Sequence, residues 1–137
     1  VFMGGRRSLL AGVSKGAAGE VLAARFLRSK GYTILVSNYR TRFGEIDIIA
    51  VDAQYIAFVE VKTRSEDAYY APREAVTEMK QQRIIKTAGL YLRSFPTDLQ
   101  PRFDVLEIVT KKGRPMEPVS IDFFMGAYET GDLRASF

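Results

Sequence analysis

The chain contains no cysteine and no histidine. Without thiols there are no disulfides, no thiol nucleophiles and no thiolate metal sites. Without imidazole there is no Ser/His/Asp triad, no histidine acid–base chemistry and none of the usual zinc ligation. Any metal must therefore be held by oxygen, which points to a hard cation, Mg²⁺ first and Mn²⁺ as its substitute. Long apolar runs are also missing. None approaches the ~18 residues of a membrane span, and the opening residues lack the sustained apolar segment of a signal peptide. The expectation is a cytoplasmic protein with no membrane partner.

What is present suits a folded domain. A length of 137 residues is enough to bury roughly two-thirds of the surface that the unfolded chain exposes. An apolar fraction of 47% supports a real core. Twenty Lys and Arg against sixteen Asp and Glu leave a net charge of +4. That surplus leans toward polyanionic partners, though many solvated surfaces carry as much.

Residues 1–13 hold three glycines and the Arg6–Arg7 pair, and read as a flexible arm. A helix is expected from Ser14 to Ser29, stopped by Lys30 and Gly31. Its small residues Ala17, Ala18, Gly19, Ala23 and Ala24 allow close approach of another element, and Glu20 lies among them. Tyr32–Ser37 is the first strand, followed by a basic turn or strand extension through Arg40 and Arg42. Two strands then flank a turn at Asp52–Gln54, and Ser65–Arg73, with Tyr69, Tyr70 and Pro72, reads as a loop. A second helix over Thr77–Ser94 presents Ile84, Ile85, Ala88, Tyr91, Leu92 and Phe95 as one apolar stripe, with Gln81 on the same inward side. Arg102–Thr110 is a further strand interrupted by Asp104; a basic turn, a short edge strand at Val119–Phe124 and a weakly ordered tail over 128–137 follow. The first three strands are joined too tightly for anything but antiparallel pairing, and the second helix supplies a crossover. The expected architecture is α/β, a central mixed sheet flanked by helices, in one domain over 14–127.

The stretch Gly44–Arg64 carries the chemistry. In Tyr55–Thr63 a period of two puts Ile56, Phe58, Glu60 and Lys62 on one face of a largely apolar strand. On the preceding strand Ile46, Ile48 and Ala50 alternate with Glu45, Asp47 and Ile49, which brings a second carboxylate alongside. Two neighbouring carboxylates repel unless positive charge lies between them. A divalent cation held by Asp47, Glu60, water and the Val61 carbonyl meets that demand, and Lys62 is placed to position water or stabilise charge on a phosphate. The competing reading is a solvated strand edge with cross-strand ion pairs.

Gly16–Glu20 (GAAGE), Asn38–Arg40 (NYR), Gly44–Ala50 (GEIDIIA), Phe58–Arg64 (FVEVKTR), Lys80–Gln81 and Arg102–Val105 (RFDV) occur in the order seen in the YraN or UPF0102 family of bacterial proteins, which this chain resembles over about 14–127. That family looks like the restriction-endonuclease fold and is similar to archaeal Holliday-junction resolvases. The resemblance implies that Asp47, Glu60 and Lys62 form the nuclease motif of an acid, a gap and Glu-x-Lys, and that Glu20 of the first helix joins the metal site. One departure is Ile46, where many relatives of that fold have proline.

The leading functional expectation is a Mg²⁺-dependent DNA endonuclease, extending to branched DNA, acting as a homodimer. Arg40, Arg42, Arg64, Lys80, Gln81 and Arg83 are its candidate nucleic-acid contacts, and Tyr69 and Tyr70 are candidates for stacking on an unpaired base. The alternatives are a nucleic-acid-binding protein that keeps the fold without cutting, and an assembly protein whose basic surface is incidental.

Overall fold

A computed structural model describes residues 15–68 and 76–129. Helix α1 (Lys15–Ser29) ends where Gly31 adopts a φ of 93°. This left-handed residue allows Tyr32 N–H to donate to the Leu27 carbonyl, and Gly31 N–H to the Arg28 carbonyl, both at 3.0 Å. The pattern is a Schellman stop, which satisfies carbonyls that the helix end would otherwise orphan. Helix α2 (Glu78–Ser94) is capped by Thr77, whose hydroxyl accepts from Lys80 N–H at 3.2 Å, and it closes just before Pro96.

The strands are β1 (Thr33–Thr41), β2 (Gly44–Val51), β3 (Tyr55–Ser65), β4 (Gln100–Lys111) and β5 (Arg114–Tyr128), adjacent in the sheet in that order. All neighbours pair antiparallel except β3 and β4, which run parallel and are joined through α2. This is the expected mixed sheet, and it agrees with an endonuclease-like α/β fold. Of the two readings of the basic residues after the first strand, the strand extension holds, and β1 continues through them to Thr41. One boundary differs from the sequence reading: β5 is a 15-residue edge strand rather than a short segment. Tyr69, Tyr70, Pro72, the N-terminal arm and residues 130–137 lie outside the described residues.

Each face of the sheet carries one helix and one apolar cluster. On the α1 side Leu22, Ala23 and Leu27 meet Ile48, Ala50, Ala57, Val59, Leu106 and Ile108. On the α2 side Ile84, Ala88 and Tyr91 meet Ile46, Ile49, Ile56, Phe58 and Phe103, whereas Phe95, expected in the same stripe, is exposed at the helix C-cap with its ring against Tyr91. The Phe58 ring stacks on Phe103 at 5.4 Å between centroids, and Phe103 on Tyr128 at 5.3 Å. Burying a side chain of this size contributes about 1.5–3 kcal/mol.

Asp104, which broke the apolar pattern of its strand, is a structural anchor. Its buried carboxylate pairs with Arg102 at 2.8 Å and accepts the Gly126 N–H at 2.9 Å, pinning an irregular stretch of β5. Arg102 in turn lies over the rings of Tyr32 and Tyr55.

Candidate metal centre

The centre forms where the sheet's regularity fails. Between the facing pairs Ser37–Ile48 and Tyr39–Ile46 lie Asn38 of β1 and Asp47 of β2. Asn38 sits at a φ of 57°, a left-handed conformation that asparagine tolerates better than most residues. Across this point the pleat slips in both strands, so Ile46 and Tyr39 pack on the α2 side while Ile48 packs on the α1 side. The alternation read from the sequence, which put Ile46 with Ile48 and Ala50, is therefore corrected: a uniform period of two does not survive a kink that both strands share.

Beyond the kink β2 and β3 part. Their backbone pairing ends at Ile48–Val59, and the next donor on that edge of β3, Val61 N–H, bonds to Asp47 Oδ2 at 2.8 Å instead. A side chain thus completes the ladder at the point where the strands separate.

Three further elements converge on this opening. From β3, Glu60 is buried and shares a pocket with Glu45, Ile46, Asp47, Val59, Lys80 and Ile84. Lys80 of α2 forms an ion pair with Glu60 Oε1, whereas Glu60 Oε2 is buried with no hydrogen-bond partner. From α1, Glu20 is held by the Asn38 side-chain amide, which donates to its Oε2 at 2.9 Å. Gly19 makes that placement possible, since a Cβ there would overlap the Thr63 side chain of β3. The close approach foreseen from the small residues of α1 is thus made at Gly19 against Thr63.

The electrostatics match the geometry. Burial raises the Asp47 pKa from 3.8 to about 6, against the opposing effect of the Val61 hydrogen bond and with help from the negative charges of Glu60, Glu20 and Glu45. Desolvation also raises Tyr128, and the Glu60 and Asp104 carboxylates push it the same way. Among the described residues no three acidic side chains form a ready-made ligand cluster. The residues still suit a hard cation: the donors are all carboxylate oxygens, and one of them, Glu60 Oε2, is buried without a partner.

The remaining sequence candidates are distributed around this opening. Lys62 is two residues beyond Glu60 on β3, in register with Glu107 of β4. Val61 contributes its N–H to Asp47. Arg40 is exposed and pairs with Glu45 at 2.9 Å, Arg42 stacks on Phe43, and Arg64 lies half-buried near the end of β3. Lys80 faces the acids rather than solvent alone. Gln81 donates to the Val76 carbonyl at 2.9 Å, so its inward position closes the turn before α2. Arg83 is exposed, its guanidinium against Met79 Sδ at 3.7 Å.

The profile described as uncharacterised protein family UPF0102 matches residues 19–108. The chain belongs to the UPF0102 family. A UPF0102 protein of Alkaliphilus oremlandii is 52% identical over 96 residues, covering 68% of this chain and 82% of the relative. One from Clostridium botulinum (strain Loch Maree / Type A3) is 46% identical over 96 residues, covering 69% and 78%. One from Acetivibrio thermocellus is 45% identical over 116 residues, covering 82% and 89%. The UPF0102 match spans Glu20, Asn38, Asp47, Glu60, Lys62 and Lys80, so each of these side chains at the opening lies within it, while β5 lies beyond it. Sequence reasoning assigned no role to Asn38. Its signal was present, an asparagine interrupting a β-branched run, but nothing local ties it to a glutamate eighteen residues earlier.

Proposed function

We propose that the chain is a Mg²⁺-dependent DNA endonuclease, with branched DNA among its substrates. The observation that carries this reading is the unpartnered buried oxygen of Glu60 beside an Asp47 whose pKa is raised to about 6. A buried carboxylate oxygen without a partner is costly, and a divalent cation is the simplest group that meets both acids at once. Asp47, Glu60 and Glu20 would hold it, with the Val61 carbonyl as a main-chain donor. When bound, the cation would supply Lewis-acid polarisation of a phosphodiester and make water a better nucleophile.

The protein's own groups have separable tasks. Asp47, fastened to Val61 N–H, keeps one carboxylate oxygen fixed. Asn38 orients Glu20 from the other face of the sheet. Lys62, on the Glu60 side of β3, places an ammonium where it can hold water or offset charge building on phosphate oxygens. Lys80 neutralises Glu60 in the state described and has a side chain long enough to turn toward a phosphate. Arg40, Arg42, Arg64 and Arg83 would position the DNA backbone without reading bases. Two such sites are needed to cut both strands at a branch, so the reading includes a homodimer, measurable by sedimentation.

The test is a cleavage screen over linear, flapped and four-way DNA with Mg²⁺ or Mn²⁺. Cutting by wild type, and its loss in Lys62→Ala and Asp47→Asn, is expected. A wild type that cuts none of these, or a Lys62→Ala protein that cuts as well, overturns the proposal. The Lys80–Glu60 ion pair favours one alternative, a DNA-binding protein that does not cut. It requires salt-sensitive binding in the absence of cleavage.

A further inference from the structure

Two-residue hairpin tips ordinarily take asparagine and glycine, because the backbone there favours positive φ and the side chains face water. The β1–β2 hairpin instead carries Arg42 and Phe43 at its tip. Phe43 is half-exposed and belongs to neither apolar cluster, so core packing does not account for it. Its ring is attended by two cations: Lys86 Nζ lies 4.2 Å from the ring centroid and the Arg42 guanidinium 4.8 Å.

The tip is fixed to the body of the protein. Phe43 N–H donates to Thr41 Oγ1 at 3.1 Å, and the Thr41 and Thr87 hydroxyls are 3.5 Å apart. Thr87 donates to the Arg83 carbonyl at 2.8 Å, which completes a link from the hairpin to α2. Gly44 lets the two surfaces close, since even a Cβ would come within 3.3 Å of Thr87 Oγ1. An aromatic side chain is thus presented on a braced support, with one positive charge from the hairpin itself, Arg42, and one from α2, Lys86. It also lies near the acids: Phe43 precedes Asp47 by four residues, about 13 Å of extended strand. That span is some three to four steps along a nucleic-acid strand at ~3.4 Å each.

We propose that the hairpin tip is a binding site for an unpaired nucleobase, which stacks on Phe43 while Arg42 and Lys86 engage the phosphates beside it. The proposal rests on the DNA reading above and gives it a substrate class, duplex DNA bearing a single-stranded segment. Cations resting on a half-exposed ring are weakly held, and a phosphate is a stronger partner for them. When they turn to the phosphates, the ring face they leave becomes available to a base. Stacking of this kind tolerates any base, because every base has a π-face.

The experiment is done without divalent metal, in EDTA, so that binding is read apart from cutting. A forked DNA with 2-aminopurine in its unpaired arm and a blunt duplex of the same length are titrated with wild type, Phe43→Ala, Phe43→Trp and the double variant Arg42→Ala/Lys86→Ala. Wild type is expected to prefer the fork and to quench 2-aminopurine. Phe43→Ala should lose the quench and about 10-fold in fork affinity while duplex affinity changes less than about 2-fold. Phe43→Trp should keep both, and the double variant should lower the log–log salt slope by about 1.5–2. If Phe43→Ala keeps the quench and the preference, the inference falls while the DNA reading stands. If wild type binds only duplex, the stacking site is likewise overturned. If it binds neither DNA, the DNA reading falls and takes the inference with it. Circular dichroism melts verify folding; should Phe43→Ala not fold, Phe43→Leu takes its place, and retention of the quench and the fork preference in it overturns the proposal while their loss supports it.

Discussion

Asn38 grips Glu20 through a 2.9 Å hydrogen bond while its own backbone stands at a φ of 57°. The two roles are separable by substitution. Asn38→Gly removes the amide but keeps the left-handed backbone at little cost, whereas Asn38→Ala removes both and should lose about 1–2 kcal/mol in urea melts. If the amide positions Glu20 for a cation, both variants should weaken Mn²⁺ binding in calorimetry by about 10-fold. Glycine matching wild type in Mn²⁺ affinity would assign Asn38 to the turn alone.

Asp47 makes stability depend on pH in an unusual direction for an acid. Its folded pKa is about 6 against an ordinary 3.8, so between these values the native state binds more protons than the unfolded one. Unfolding free energy from this group therefore falls as pH rises from about 4 to 6, by at most about 3 kcal/mol and less after solvent screening. Asp47→Asn can still accept from Val61 N–H and should flatten this part of the profile. Urea melts at pH 4.5 and 7.5 check it; an unchanged difference between the two pH values in the variant would refute the assignment.

The Lys80–Glu60 ion pair predicts a metal-dependent stability defect. Glu60 is 8% exposed, so Lys80→Met leaves a buried carboxylate unpaired and should cost about 1–3 kcal/mol at neutral pH in EDTA. Mn²⁺ should then stabilise the variant more than it stabilises wild type, because no ammonium competes for Glu60. Thermal melts with and without Mn²⁺ report both effects, and an equal Mn²⁺ shift in the two proteins would count against a shared site.

The contact between Gly19 and Thr63 predicts coupling between distant positions in the chain. Gly19→Ala drives a methyl into the Thr63 side chain and should destabilise by about 1–3 kcal/mol. Thr63→Ser removes the methyl that it meets, so the double variant should recover much of the loss. Strict additivity in denaturant melts would show that α1 shifts away as a unit instead.

Much of the arrangement was legible before any coordinates. Apolar alternation put Glu60 and Lys62 on one side of β3, and the short connections forced three antiparallel strands before a helical crossover. The small residues around Gly19 announced a tight helix contact. What eluded sequence reasoning depends on non-local geometry. The pleat slip at Asn38 and Asp47 needs both strands to distort together, and a single strand's pattern cannot show that. Lys80 reads as a nucleic-acid contact and not as the partner of Glu60, because helical spacing gives direction but not distance to a strand. Phe43 was passed over for a related reason: a lone aromatic between arginine and glycine has no periodic partner, and only the fold brings Lys86 to its ring.

The two edges of β3 are unlike. Toward β4 its ladder runs through eleven consecutive pairs from Tyr55–Gln100 to Ser65–Thr110, whereas toward β2 the pairs cover only Ile56 to Val59. Glu60 and Lys62 therefore stand on a fixed beam, and Phe43 and Asp47 sit on a hairpin arm tied down by side chains, to α2 through Thr41 and Thr87 and to β3 through the Asp47–Val61 hydrogen bond. Mechanically this is a clamp of set gap, whose width is held by those side-chain ties where the sheet ladder between the two strands is missing.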